Sequence, residues 1–176
     1  MKKSALLLLV IFFIMLFDLK SKAQFIDKYG DNLSTLDGIM KAYYDVVTVK
    51  KGGKISFERD SLQHLPNVKV GWVTHPQNGT TGFKLVTLKE YHQHSDASLE
   101  KEGFYEHEIS RKVENFGGIY HVWSTYESRN SPKGKVIARG INSIELYFDG
   151  KRFWILGWFF DGESKTNPLP SKYLTK

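Results

Sequence analysis

Beyond residue 23 the spacing of apolar positions changes once, from helical to alternating, and divides the chain into two parts. Leu36, Ile39, Met40, Tyr43, Tyr44 and Val47 recur three and four residues apart, which predicts a helix with one wide apolar stripe. Ser34 is its predicted cap, and Asp37 at the third position favours the helix dipole. Lys50 to Lys54, with Gly52 and Gly53, ends it. Phe57 to Leu65 predicts a short second helix stopped by Pro66, and Val68 to Thr74 a strand. Pro76 to Gly79 reads as a turn. Thr87-Leu88-Lys89-Glu90 is a capping box opening a third helix to about His94. From Gly103 the period is two: strands are predicted over 104–114, 119–129, 136–148 and 151–160. Gly117-Gly118, the segment from Asn130 to Lys135, and Asp149-Gly150 turn them, so the strands form an antiparallel meander. Helices first and strands last give an α+β class. A long antiparallel sheet curls, and the apolar stripe of the first helix needs a hollow. The expected domain is therefore cone-shaped, a strongly curved antiparallel sheet wrapped around the long N-terminal helix, with two short helices beside it.

Alternation sorts the last hairpin into faces. If Asp149-Gly150 is a two-residue turn, Gly140, Asn142, Ile144, Leu146, Phe153, Ile155, Gly157 and Phe159 share the face toward the helices. Asn142 is the one polar side chain there, and it meets either neighbouring backbone or a ligand. The opposite face carries Trp154, Leu156, Trp158 and Phe160. Large clustered aromatics on an outer face mark an interface, and a second copy of the chain is the expected occupant. Cover by the tail around Leu169, Tyr173 and Leu174 is the alternative.

The first 23 residues read as a secretory signal. Lys2 and Lys3 precede an uncharged run from Ala5 to Phe17, and Ser21-Lys22-Ala23 offers small residues before a cut at Ala23-Gln24. The run is too short for a membrane-spanning helix, which takes about 20 apolar residues. The expected product is a periplasmic or extracellular domain over 24–176, with its core at 33–161, a tail at 162–176 and no stable membrane anchor. With no cysteine, neither disulfides nor thiolate metal sites contribute. The formal charge of +6 is half due to the leader, and the remaining scattered charge excludes a nucleic-acid surface.

The opening helix, the two shorter helices and the meander resemble the nuclear transport factor 2-like superfamily. The closing hairpin Ile144-Glu145-Leu146-Tyr147-Phe148-Asp149-Gly150-Lys151-Arg152-Phe153-Trp154-Ile155 is similar to that of many members. His121 to Glu127 and Arg139 to Ser143 resemble exported, uncharacterised bacterial members related to the polyketide cyclase and steroid isomerase-like group. The resemblance covers residues 33 to about 161 and implies a fold more than a function, because members include isomerases, dehydratases, epoxide hydrolases and non-catalytic binding domains. Isomerases of this kind pair a strand carboxylate with a helix tyrosine. Tyr43 or Tyr44 offers the phenol, but the inward face of the last hairpin has no carboxylate. Epoxide hydrolases use an Asp-Arg-Asp set that is absent. Dehydratases use a His-Asp pair, for which His121 or His107 would need Glu106 or Glu108 in place of aspartate.

The expected function is an exported small-ligand-binding or assembly domain with a pocket formed by Met40, Tyr43, Tyr44, His121, Trp123, Asn142, Ile144 and Phe159, open to a small apolar or aromatic ligand. The rival is a lyase or isomerase with His121 or His107 as base and Tyr44 as hydrogen-bond donor. A purely structural dimer is the third reading. Neither cofactor nor metal is expected, since His92 and His94, two apart on a helix, point apart. The register of the 103–130 hairpin, and so the direction of His107 and His121, stays open.

Overall fold

The computed structural model describes residues 24–76 and 80–174, so the expected signal segment lies outside the described residues. Helix α1 (Leu36–Val47) is capped by Thr35, not Ser34: the Thr35 hydroxyl accepts from the Gly38 N–H. Ser34 is held instead by the side chain of Asn32, two residues back in the turn. Ile39, Met40, Tyr43, Tyr44 and Val46 form the buried stripe of α1, and each fully buried aliphatic side chain contributes about 2 kcal/mol. At its exit, Val49 and Phe104 exchange both backbone hydrogen bonds, tying the helix end to the start of the strand region.

The short helix α2 (Phe57–Ser61) is capped by Ser56. It ends earlier than predicted because the chain extends into β1 (His64–Thr74), which already pairs at His64. Strand β2 (Gly82–Thr87), which the sequence pattern did not announce, leads directly into α3 (Leu88–Glu102). The capping box forms as expected, Thr87 and Glu90 bonding each other's backbone N–H, but α3 runs about two turns past His94, to a Gly103 with φ +80°. Strands β3 (Tyr105–Phe116), β4 (Ile119–Arg129), β5 (Ala138–Phe148) and β6 (Phe153–Gly162) follow as the antiparallel meander.

The sheet has six strands in the order β2-β1-β6-β5-β4-β3. It is mixed: β1 runs parallel to β6 and antiparallel to β2. The α1 stripe shares one core with Val70 of β1, Val122 of β4, Ile144 and Leu146 of β5, and Ile155 and Trp158 of β6.

The turn into β6 differs from expectation, and the difference decides the site. Phe148 pairs with Phe153, so the loop is Asp149 to Arg152. Asp149 accepts from the backbone N–H groups of Lys151 and Arg152, which closes this wider loop. Leu146 pairs with Ile155 but Glu145 pairs with Gly157, so Leu156 is an extra residue in a β-bulge. A bulge shifts every later side chain to the other face.

Candidate functional site

The bulge turns Trp158 and Phe160 toward the helices and Phe159 outward. Trp158 pairs with Ile144 and is 4% exposed, in the core. Phe160 pairs with Asn142 and packs on the same core, whereas Phe159 pairs with Ser143 and stacks near Phe83 on the far face. The four residues expected as a pairing surface therefore do not share one face. Trp154 is itself half-covered, with the Arg152 guanidinium 3.7 Å above its ring and its N–H on Asp149.

The 103–130 hairpin has a defined register: Phe116 pairs with Ile119 across Gly117-Gly118, and Gly117 takes φ +57°. Glu108 pairs with Tyr126 but Ser110 with Thr125, so Ile109 is an extra residue in a bulge. This shift puts His107 as well as His121 on the outer face. His107 pairs with Glu127 and lies 3.3 Å from its carboxylate. His121 bonds the Ser143 hydroxyl and packs against Trp123. Neither reaches the helix-facing side, so the histidine bases expected from the sequence are misplaced. From β3 and β4 the inward side chains include Glu106, Glu108, Val122, Ser124, Tyr126 and Ser128.

Of these, Glu106, Tyr126 and Ser128 line a cavity of about 190 Å³ between α1, α3 and the sheet. Tyr43 of α1, Tyr91 of α3, Phe104, Tyr126, Trp158 and Phe160 supply six rings. Gly140, opposite Tyr126, leaves room for that phenol, which occupies the place a side chain would need. Of the pocket residues read from the sequence, Tyr43 and Asn142 line the cavity. Met40, Tyr44 and Ile144 are buried in the surrounding core, and His121, Trp123 and Phe159 lie across the sheet. A second hollow, of about 350 Å³, lies on that outer side between Trp123, Phe159 and tail residues Leu169 and Tyr173.

The cavity's chemistry centres on Glu106. Its carboxyl accepts from the Ser128 hydroxyl at 2.8 Å and from the Asn142 amide. Burial pushes its pKa up to about 7 despite these two donors. Asn142 also donates to the Tyr44 hydroxyl, 3.2 Å away, so the buried amide meets side chains rather than backbone. Tyr44 in turn reaches the Ser124 oxygen at 2.6 Å, and Ser124 donates to Glu108. Because the single Ser124 proton goes to the carboxylate, the Tyr44 proton must point at Ser124. Arg111 holds Glu108 from the other side. Burial, together with the charge of Glu106, raises the pKa values of Tyr91 and Tyr126, keeping both phenols protonated.

Asp60, from α2, is the second carboxylate at the cavity. It is 2% exposed and meets His92 Nε2 at 2.8 Å, while His92 Nδ1 meets Asp96 at 2.8 Å. Burial works against a charged His92, but the two carboxylates outweigh it and raise its pKa. Asp96, one turn beyond His92 on α3, fixes the ring that bridges to Asp60 of α2. His64 Nδ1 donates to the Asp60 backbone carbonyl. Among the described residues no group of His, Asp and Glu is arranged to hold a metal.

Three things hid these residues from the sequence: the bulge at Ile109 left the direction of Glu106 and Tyr126 open, the bulge at Leu156 hid Trp158 and Phe160, and the approach of two helices hid Asp60 and Tyr91. The inward parity of Glu106 with Glu108, two residues on, was the one signal available.

No family model matches the chain, and no curated protein matches it. Among solved structures, a Nostoc punctiforme protein of unknown function with a cystatin-like fold is 6% identical, with a TM-score of 0.56, covering 80% of this chain and 96% of that one. An NTF2-like protein of unknown function from Methylobacillus flagellatus is 10% identical, with a TM-score of 0.49, covering 76% and 100%. Another from Shewanella baltica is 6% identical, with a TM-score of 0.46, covering 72% and 90%. At such identity the first of these likenesses speaks for fold alone.

Proposed function

We propose that this chain is an exported small-ligand-binding domain of the nuclear transport factor 2-like kind, whose guest occupies the cavity between α1, α3 and the sheet. One observation carries the reading: the Glu106 carboxyl is held by the neutral side chains of Ser128 and Asn142 at the wall of a cavity lined by six aromatic side chains. Largely apolar walls with a few fixed polar groups are what small-molecule sites look like. The volume of about 190 Å³ is below the ~300–1,000 Å³ of drug-sized sites, so the guest is small. A thermal-shift screen of small aliphatic and aromatic compounds tests this. Ala138 sits at the exposed rim of the cavity, and an Ala138→Trp variant plugs it with little strain elsewhere. Ligands that stabilise the protein and not the plugged variant support the reading; a screen in which every hit stabilises both equally, or none does, removes it.

A second reading is a proton-transfer enzyme of the isomerase or lyase kind. What favours it is that the Glu106 pKa of about 7 suits a general acid or base at neutral pH, with the phenols of Tyr43, Tyr91 and Tyr126 as neutral donors. Glu106 would take the role expected of His121 or His107. Turnover lost on Glu106→Gln, with ligand binding retained, separates this reading from the first.

A further inference from the structure

The cavity's charge and ring arrangement say more about the guest than its size does. We propose that the ligand is a small organic cation, an alkylammonium or protonated amine, held against the aromatic walls with its charge toward Glu106. This rests on the proposed cavity site.

Three rings meet close to right angles. Tyr43 and Tyr91 both stand edge-on to Trp158, at 83° and 82°, with centroids 5.7 and 5.5 Å away. Phe104, Tyr126 and Phe160 complete the walls. Two rings perpendicular to a third, with further rings completing the walls, offer aromatic surface to a guest from several sides, and aromatic faces carry the negative part of the ring quadrupole. A carbon-rich neutral guest would use these walls without needing a carboxylate; an ammonium uses both.

Charge around the cavity points the same way. No Lys, Arg or His is among its lining residues. Asp60, facing it from α2, is already bridged to His92, which Asp96 holds from within α3. His64 stands behind Asp60, its ring tilted against Trp158 at 5.1 Å. On β3, Arg111 is engaged by Glu108 and Asp37. On the outer face Arg129, Arg139 and His107 gather at Glu127. Of the two carboxyls that line the cavity, Glu106 is therefore the one with neutral partners only, Ser128 and Asn142. A cation entering the cavity supplies the missing counter-charge, and a buried carboxyl that rises to a pKa of about 7 when empty ionises more readily beside it.

The test uses a matched pair, choline and 3,3-dimethylbutan-1-ol, which have the same shape and differ in the charge of the central atom. Calorimetric titration of the protein with each is expected to show choline binding at least tenfold more tightly. Choline affinity should rise between pH 6 and pH 8 as Glu106 ionises, and Glu106→Gln should bring choline down to the level of the alcohol. If the two compounds bind alike and the Ala138→Trp plug blocks both, the cavity site stands and the cation inference falls. If choline binds no better than the alcohol at any pH, or binds equally to the plugged variant, the inference is likewise overturned. The pH series is read on the unaltered protein, so it decides the question even if Glu106→Gln folds poorly.

Discussion

At the scale of single residues, Glu106 has the largest consequence outside binding. Its carboxyl stays protonated in the folded chain up to about pH 7, whereas an ordinary glutamate ionises near 4.5. Between those values the folded state holds a proton that the unfolded state has lost, so stability falls as pH rises and levels off above 7. The shift corresponds to about 3 kcal/mol at most. Glu106→Gln keeps the shape but cannot ionise. Urea denaturation of the two proteins from pH 5 to pH 8 is expected to show a flatter profile for the variant, which becomes the more stable of the two by pH 8. A wild-type profile that rises across this window would mean Glu106 is ionised in place. Asn142 shows how such a residue is read in advance: the sequence left it open between backbone and ligand, and it joins Tyr44 to Glu106 at the cavity instead.

At the scale of elements, alternation served well where a strand was regular. Strand β4 has the predicted limits, and the inward set of β5, namely Asn142, Ile144 and Leu146, is buried as read. It failed in β6 because a single extra residue, Leu156, leaves no mark on the alternating pattern yet reverses everything after it. The parallel pairing of β1 with β6 was equally invisible, since it depends on where the chain returns in space rather than on any local period. The α2–α3 bridge through His92 has the same origin: Asp60 and His92 lie 32 residues apart and meet only in the folded chain. The bulge itself can be tested. Deleting Leu156 restores strict alternation, which would drive Trp158 and Phe160 outward and Phe159 into the core. The deletion is expected to abolish cooperative unfolding and the near-ultraviolet circular dichroism of packed aromatics. Leu156→Ala, at a half-buried position that keeps the bulge, should cost about 1 kcal/mol. A deletion variant that melts like the parent would show that the face reversal is not held by Leu156.

At the scale of the whole molecule, the question is what covers the outer face of the sheet. The pairing surface expected from the sequence needed Trp158, and Trp158 is core; Trp158→Glu would therefore unfold the chain and could not report on pairing. The tail provides a cover of its own. The Tyr173 carbonyl accepts from Thr125 at 2.8 Å, its ring packs on Trp123, and the Leu169 N–H is held by Glu163. These contacts leave Thr125 only 1% exposed although it points away from the helices. If the tail is what keeps this face from water, a chain ending at Asn167 loses about 2 kcal/mol of stability through the apolar area of Leu169 and Tyr173. It also bares Trp123 and Phe159 beside Phe83, which is already 55% exposed. A patch of that kind drives association. Denaturation and light scattering of the shortened chain should show lower stability together with a concentration-dependent rise in mass. Equal stability with unchanged mass would mean that the tail contributes nothing to covering the sheet, and that Trp123 and Phe159 tolerate water or are covered by another molecule already.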